Sequence, residues 1–95
     1  MKTEHQTCPL CGANAVFYLV DHGNRKYFSC PECTKFQISL RAENRLTEAP
    51  EQTRQYYAGM ARSTPPVHLL VIVMPSPPVT ANIVGEYLPK SELPL

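Results

Sequence analysis

The 95-residue sequence predicts a small α+β fold, built from a three-stranded antiparallel sheet, one helix and a C-terminal β-strand. Three observations lead to this prediction. Two pairs of cysteines bracket a stretch with the composition of a β-hairpin. A helical pattern begins at Pro50, and an apolar run interrupted by His68 occupies residues 67–74. A chain this short buries only a modest core, so a further source of stability is expected.

The cysteines supply that source. Both pairs read Cys-Pro-x-Cys, and eighteen residues separate them. Two residues between cysteines allow a tight turn to direct both sulfurs at one point, about 2.3 Å from a metal ion. Two such pairs at this separation are typical of a tetrahedral zinc site. We therefore predict one structural zinc ion per chain, bound by Cys8, Cys11, Cys30 and Cys33; iron in the same thiolate geometry is the main alternative.

The stretch between the cysteine pairs must leave the metal site and return to it, as a β-hairpin does. Residues 16–20 and 26–29 are rich in β-branched and aromatic residues, which favours strands. Gly23 and Asn24 lie between them and form a candidate two-residue turn. A third strand is predicted at residues 36–40, because apolar and polar residues alternate there.

Residues 7–40 resemble a zinc ribbon, in which two zinc knuckles hold a metal ion on a three-stranded antiparallel sheet. The resemblance implies a structural metal and a binding role, but zinc ribbons serve in so many settings that it implies no particular activity. One departure is Thr34, which stands where the first knuckle has Gly12. If that position needs a left-handed backbone, a β-branched residue is strained there.

The rest of the chain changes in character. We predict a zinc ribbon over 1–46, a helical segment over 47–64 and a proline-rich tail over 65–95. The helix is expected at 50–62, because Pro50 suits a first helical position. Its apolar face is predicted from the helical spacing of Thr53, Tyr56, Tyr57 and Met60. Residues 41–46 can form one or two further helical turns.

The tail holds seven of the ten prolines, and they bracket the strand predicted at 67–74. Its five consecutive large aliphatic residues indicate a strand buried on both faces. We expect it either to join the ribbon sheet of its own chain or to pair with a second copy. The small size of the chain favours the homodimer. Residues 79–88 are ambiguous, because a helical spacing coexists with Gly85 and flanking prolines.

Charge and apolar segments limit the choice of partner. Nine basic residues stand against eight acidic ones, which is less basic than a dedicated nucleic-acid binder. Any nucleic-acid binding should be weak and run through Arg25, Lys26 and Lys35. No run is long and apolar enough to span a bilayer, and no signal peptide is recognisable, so a cytoplasmic location is expected. That compartment favours metal binding over disulfides.

These observations predict a zinc-binding accessory or regulatory module that engages a protein or a nucleic acid. We expect no enzymatic activity and no small-molecule substrate, because four thiolates leave a metal no open position and no nucleophile–base pair is recognisable. One alternative is a structural protein that acts by oligomerising through its apolar tail. The other is electron transfer through iron at the same cysteines.

Overall fold

The computed structural model describes residues 2–74 and 83–93 of the chain. Within these residues, six strands form one mixed sheet in the order of the sequence. The strands are β1 (Glu4–Thr7), β2 (Asn14–Val20), β3 (Arg25–Cys30), β4 (Thr34–Ser39), β5 (His68–Val73) and β6 (Val84–Pro89). The helices are α1 (Leu40–Thr47) and α2 (Glu51–Arg62), and a single 3₁₀ turn, Lys90–Glu92, follows β6. The fold is α+β as predicted, but the described residues form a six-stranded sheet and two α-helices instead of a three-stranded sheet, a separate C-terminal strand and one helix.

Strands β1 to β4 form an antiparallel meander. Strands β2, β3 and β4 lie where the sequence predicts them, but the two-residue turn at Gly23 and Asn24 is wrong. Residues 21–24 connect β2 to β3, and Asp21, His22 and Gly23 all have positive φ. Aspartate and histidine tolerate this conformation better than most residues, so the turn can start two residues earlier. β1 was not predicted, because its Glu-His-Gln-Thr sequence has no apolar alternation.

The connection between β4 and β5 decides the architecture. These strands are parallel, and a parallel pair needs a long crossover, which α1 and α2 provide. Both helices pack against β4 and β5 on one side of the sheet. Helix α1 begins directly after β4, where the Ser39 hydroxyl accepts a hydrogen bond from the Ala42 N–H. Leu40 therefore belongs to α1 and is 40% exposed, although the alternation predicted it on the apolar face of β4.

Helix α2 begins one residue later than predicted, because Pro50 is its N-cap rather than its first helical residue, and it ends at Arg62 as predicted. The predicted apolar face is partly wrong. The buried residues are Tyr57, Ala58 and Ala61, whereas Tyr56 is 65% exposed. The two alanines have small side chains, so they allow α2 to approach the sheet closely. The helical spacing of apolar residues does not indicate that the alanine side of the helix faces the sheet.

The aliphatic strand is ordered, and it joins the sheet of its own chain. β5 lies between β4 and β6, so both of its edges are paired, and Leu69 to Ile72 are buried. The argument for dimerisation assumed that a single chain could not cover this strand, and that assumption is wrong. β6 is a strand rather than a helix over residues 84–89. The ambiguous residues 79–82 lie outside the described part of the chain.

The main core fills the space between the sheet and the two helices. Its fully buried side chains include Phe28, Phe36, Ile38, Leu46, Leu70 and Ile72. Complete burial of each such side chain contributes about 2 kcal/mol relative to exposure. Cys8, Cys30 and Cys33 belong to the same cluster and Cys11 packs against it, so the four cysteines are continuous with the core. In the described residues, neither helix has the length and apolarity needed to cross a bilayer.

Candidate metal centre

The first knuckle lies between β1 and β2. The Gly12 N–H donates to the Cys8 carbonyl over 3.0 Å, and the Cys8 N–H donates to the Ala13 carbonyl over 2.8 Å. Gly12 has φ +81°, a conformation that glycine adopts without steric cost. This closed turn brings Cys8 and Cys11 to the same side, as the two-residue spacing predicts.

The second knuckle lies between β3 and β4, with Cys30 at the end of one strand and Thr34 at the start of the next. Thr34 has φ +65°, so the position does require the left-handed region, and the threonine is strained there. Its hydroxyl donates to the Ala61 carbonyl of α2 over 3.1 Å. The threonine thus connects the knuckle to α2, a contact that glycine could not make.

A second contact reinforces this connection. The Arg62 Nε–H donates to the Glu32 carbonyl over 3.1 Å, so the last turn of α2 is fixed to the second knuckle at two points. Arg62 was not predicted to act at the site, because its partner is thirty residues away and no local pattern relates them. Thr34 did carry a signal, namely a β-branched residue where the first knuckle has glycine.

The four sulfurs form a compact cluster. All lie within 4.8 Å of one another; the Cys8 and Cys33 sulfurs are 4.0 Å apart, and those of Cys11 and Cys30 are 3.4 Å apart. Four thiolates at about 2.3 Å from one tetrahedral ion would be separated by about 3.8 Å. Disulfide sulfurs would be about 2.05 Å apart, so these cysteines are free thiols. The cluster can therefore hold a metal ion.

Burial and hydrogen bonding shift the pKa values of three of these thiols. Cys8, Cys30 and Cys33 are buried, and Cys11 is partly exposed. Burial raises the pKa of Cys8 to about 12 and raises the pKa of Cys33 as well. Burial opposes ionisation of Cys30 too, but hydrogen bonds from the backbone at Cys33 and Glu32 outweigh it and lower its pKa. A metal ion entering the cluster must therefore displace protons.

The basic residues predicted to contact phosphate do not form one surface. The Lys26 ammonium lies 2.9 Å from a Glu43 carboxylate oxygen, donates to the Gln6 side-chain carbonyl over 2.7 Å and sits 4.6 Å from the centre of the Phe17 ring. The Gln6 amide also donates to Glu43. Lys26 is therefore committed to a network between β1, β3 and α1, which no local sequence pattern reveals.

Arg25 points to the other face of the sheet, because neighbouring residues of a strand alternate. Its guanidinium donates to the Gln37 side-chain oxygen over 3.3 Å and lies 3.9 Å from Asp21. Lys35 is exposed at the start of β4. Lys26 therefore lies on the face opposite Arg25, and Lys35 shares the face of Arg25 but lies four residues along β4 from Ser39, the residue paired with Arg25.

The fold and the site define a small α+β protein whose sheet carries a four-cysteine cluster compatible with a ribbon-like metal site. No protein-family model, curated protein or solved structure matches the chain. The class of protein consequently rests on the fold and the cysteine geometry alone.

Proposed function

We propose that this protein is a zinc-ribbon-like accessory or regulatory module that holds one structural zinc ion at Cys8, Cys11, Cys30 and Cys33. The observation that carries the proposal is the approach of all four sulfurs to within 4.8 Å of one another. Four thiolates complete a tetrahedral coordination shell, so the metal has no open position for a substrate or a reactive water. Such an ion stabilises a fold rather than performing chemistry.

The site is well placed for a structural role. One knuckle joins β1 to β2, the other joins β3 to β4, and the second knuckle also contacts the end of α2. A metal ion there links two hairpins and a helix that are far apart in sequence. In finger-sized peptides zinc binding contributes on the order of 10 kcal/mol, as much as the whole stability of a small domain.

Metal analysis of protein purified under reducing conditions tests this proposal. We expect one zinc per chain, and Cys30→Ser should lose the metal together with cooperative unfolding. His22→Asn, at an exposed turn outside the cluster, is the matched control and should retain both. Cobalt substitution should give the visible absorption of tetrahedral thiolate coordination. A folded, reduced protein without metal would contradict the proposal, and stoichiometric iron would support the electron-transfer alternative.

The proposed partner is a protein rather than a nucleic acid. Lys26 is engaged by Glu43, Arg25 is engaged by Asp21 and Gln37, and only Lys35 of the three predicted phosphate contacts is exposed. Each phosphate contact adds roughly 0.7–0.9 to the slope of log affinity against log salt, so we expect a shallow slope. Polarisation titrations with single- and double-stranded oligonucleotides measure it. Tight binding at physiological salt would favour a nucleic-acid partner instead.

Oligomerisation through the apolar strand is the alternative function. It is weakened because β5 has a neighbour along each edge within its own chain. Light scattering coupled to gel filtration distinguishes the two, and the proposal expects a monomer in the absence of a partner.

A further inference from the structure

A cavity of about 580 Å³ lies beside the second knuckle, where the start of β4, the segment before β5 and the end of β6 meet. We name it the β5-entry pocket. Its size falls within the range of small-molecule sites in proteins. Pro65, Pro66, Val67 and Leu69 supply an apolar wall.

Two lysines line the pocket, together with Cys30 of the second knuckle. Lys35 enters the lining from β4 and Lys90 enters it from the turn after β6. None of the described residues that line the pocket is acidic. Two ammonium groups beside an apolar wall favour a ligand that combines an anionic group with an apolar body.

Backbone strain at Val67 also indicates that the pocket binds a ligand. Val67 has φ +57°, and a β-branched residue in this region is a genuine outlier. The strain is not offset by packing, because the Val67 side chain is 74% exposed. Residues held in such conformations cluster at ligand clamps and other functional sites.

The strained residue is held firmly in place. The Lys90 N–H donates to the Val67 carbonyl over 2.9 Å, and the His68 N–H donates to the Pro65 carbonyl over 3.2 Å. The His68 ring is fixed as well, since its Nδ1–H donates to the Pro66 carbonyl over 2.8 Å. These bonds hold an exposed aliphatic side chain beside the pocket at a conformational cost, which makes sense if a ligand covers it.

We propose that the β5-entry pocket binds a small amphiphilic anion, namely a carboxylate on a compact apolar body. Pro66 and Val67 contact the apolar body, and Lys35 and Lys90 attract the carboxylate. This site is separate from the metal centre and adds a ligand to the function proposed above. Because the second knuckle forms part of the wall, the metal-loaded protein is the form that binds.

Titration of isotope-labelled, metal-loaded protein with octanoate, followed by amide chemical shifts, tests the proposal. We expect saturable shifts confined to residues 64–69, the start of β4 and Lys90, with a dissociation constant in the millimolar range or tighter. Octanol and octylammonium have the same chain with a neutral or a positive head group, and both should bind at least several-fold more weakly. The titration does not depend on the identity of the bound metal, so its failure is distinguishable from failure of the zinc proposal.

Two variants separate charge from apolar contact. Lys35→Ala combined with Lys90→Ala should weaken octanoate binding about tenfold and abolish the preference over octanol, whereas the exposed control Lys2→Ala should change neither. Val67→Asn should stabilise the protein and weaken its binding of octanoate. Asparagine tolerates the left-handed conformation, so the melting temperature should rise by about 4 °C, while loss of the aliphatic contact should weaken octanoate binding about tenfold.

Three results would overturn the inference. The first is the absence of any saturable shift at millimolar octanoate. The second is binding of octylammonium as tight as that of octanoate or tighter, which would mean that the thiolates of the metal site set the potential of the pocket. The third is octanoate binding that neither the lysine substitutions nor Val67→Asn weakens.

Discussion

The contact between Lys26 and Glu43 allows a quantitative test of the fold. Their side chains are only 17% and 11% exposed, and the ammonium and carboxylate are 2.9 Å apart. Removing one partner of a buried ion pair leaves an uncompensated charge and typically costs 3–5 kcal/mol. Because some water reaches this pair and Gln6 stays bonded to either partner, we expect the lower end, about 3 kcal/mol, for Glu43→Gln.

The second arm of the test is Lys26→Met, which keeps a flexible apolar chain against the Phe17 ring. It should cost a similar amount, because Glu43 then keeps its charge without a cation. The double variant carries neither charge and should cost about 4 kcal/mol, against about 6 kcal/mol for the two single changes together. We expect a coupling energy of about 2 kcal/mol, within the range found for residues in contact.

Urea unfolding of the four proteins measures these free energies, and each single change should lower the melting temperature by roughly 12–24 °C. Asp21→Asn is the matched control, because Asp21 and Arg25 are 3.9 Å apart and their side chains are 39% and 24% exposed. Asparagine also tolerates the positive φ of this position, so the change should stay within about 0.5 kcal/mol. A cost below 1 kcal/mol for Glu43→Gln, or additive single changes, would refute the assignment of this pair as a buried tie between β3 and α1.

Three further predictions follow from the core and the metal site. If the protein holds the proposed zinc, a chelator under reducing conditions should abolish cooperative unfolding, seen by circular dichroism, because zinc binding contributes on the order of 10 kcal/mol in finger-sized peptides; an unchanged transition would contradict this. Thr34→Gly should alter stability by less than about 1 kcal/mol, since relief of strain opposes loss of the hydrogen bond to Ala61, whereas Thr34→Val keeps the strain and should cost about 1 kcal/mol in urea unfolding. Gly85→Ala should cost about 1–3 kcal/mol, because a Cβ there would lie 2.9 Å from the Tyr57 ring; a neutral result would show that the ring moves freely.

The candidate site could be predicted from the sequence because its determinants are local. Two residues between cysteines restrict each pair to a tight turn, and the eighteen residues between the pairs suit a returning hairpin. The strands of that hairpin and the start of α2 at Pro50 are likewise encoded within a few neighbouring residues. Thr34 shows the same logic, since its strain was predictable from a β-branched residue in the place of a glycine.

Only the tertiary structure decided how the remaining elements assemble. β5 is apolar on both faces, which favours burial but does not indicate whether β4 or a second chain lies beside it. The helical crossover makes pairing with β4 possible. No local sequence pattern indicates such a pairing between distant segments. β6 pairs with β5 although its spacing also suits a helix, and Gly85 leaves room there for the Tyr57 ring.

The contacts of the charged residues also depend on the tertiary structure. A lysine beside a hairpin turn is most often solvated, yet Lys26 is held by Glu43 from a helix seventeen residues later in the chain. Val67 likewise looks like an ordinary strand residue in the sequence, and neither its positive φ nor the hydrogen bond from the Lys90 N–H to its carbonyl is indicated there. Turn geometry and alternation act over a few residues, so the sequence alone determined the two knuckles and strands β2 and β3 between them. Charge pairing, strand neighbours and pockets depend on contacts between distant segments, so they were decided by the folded chain.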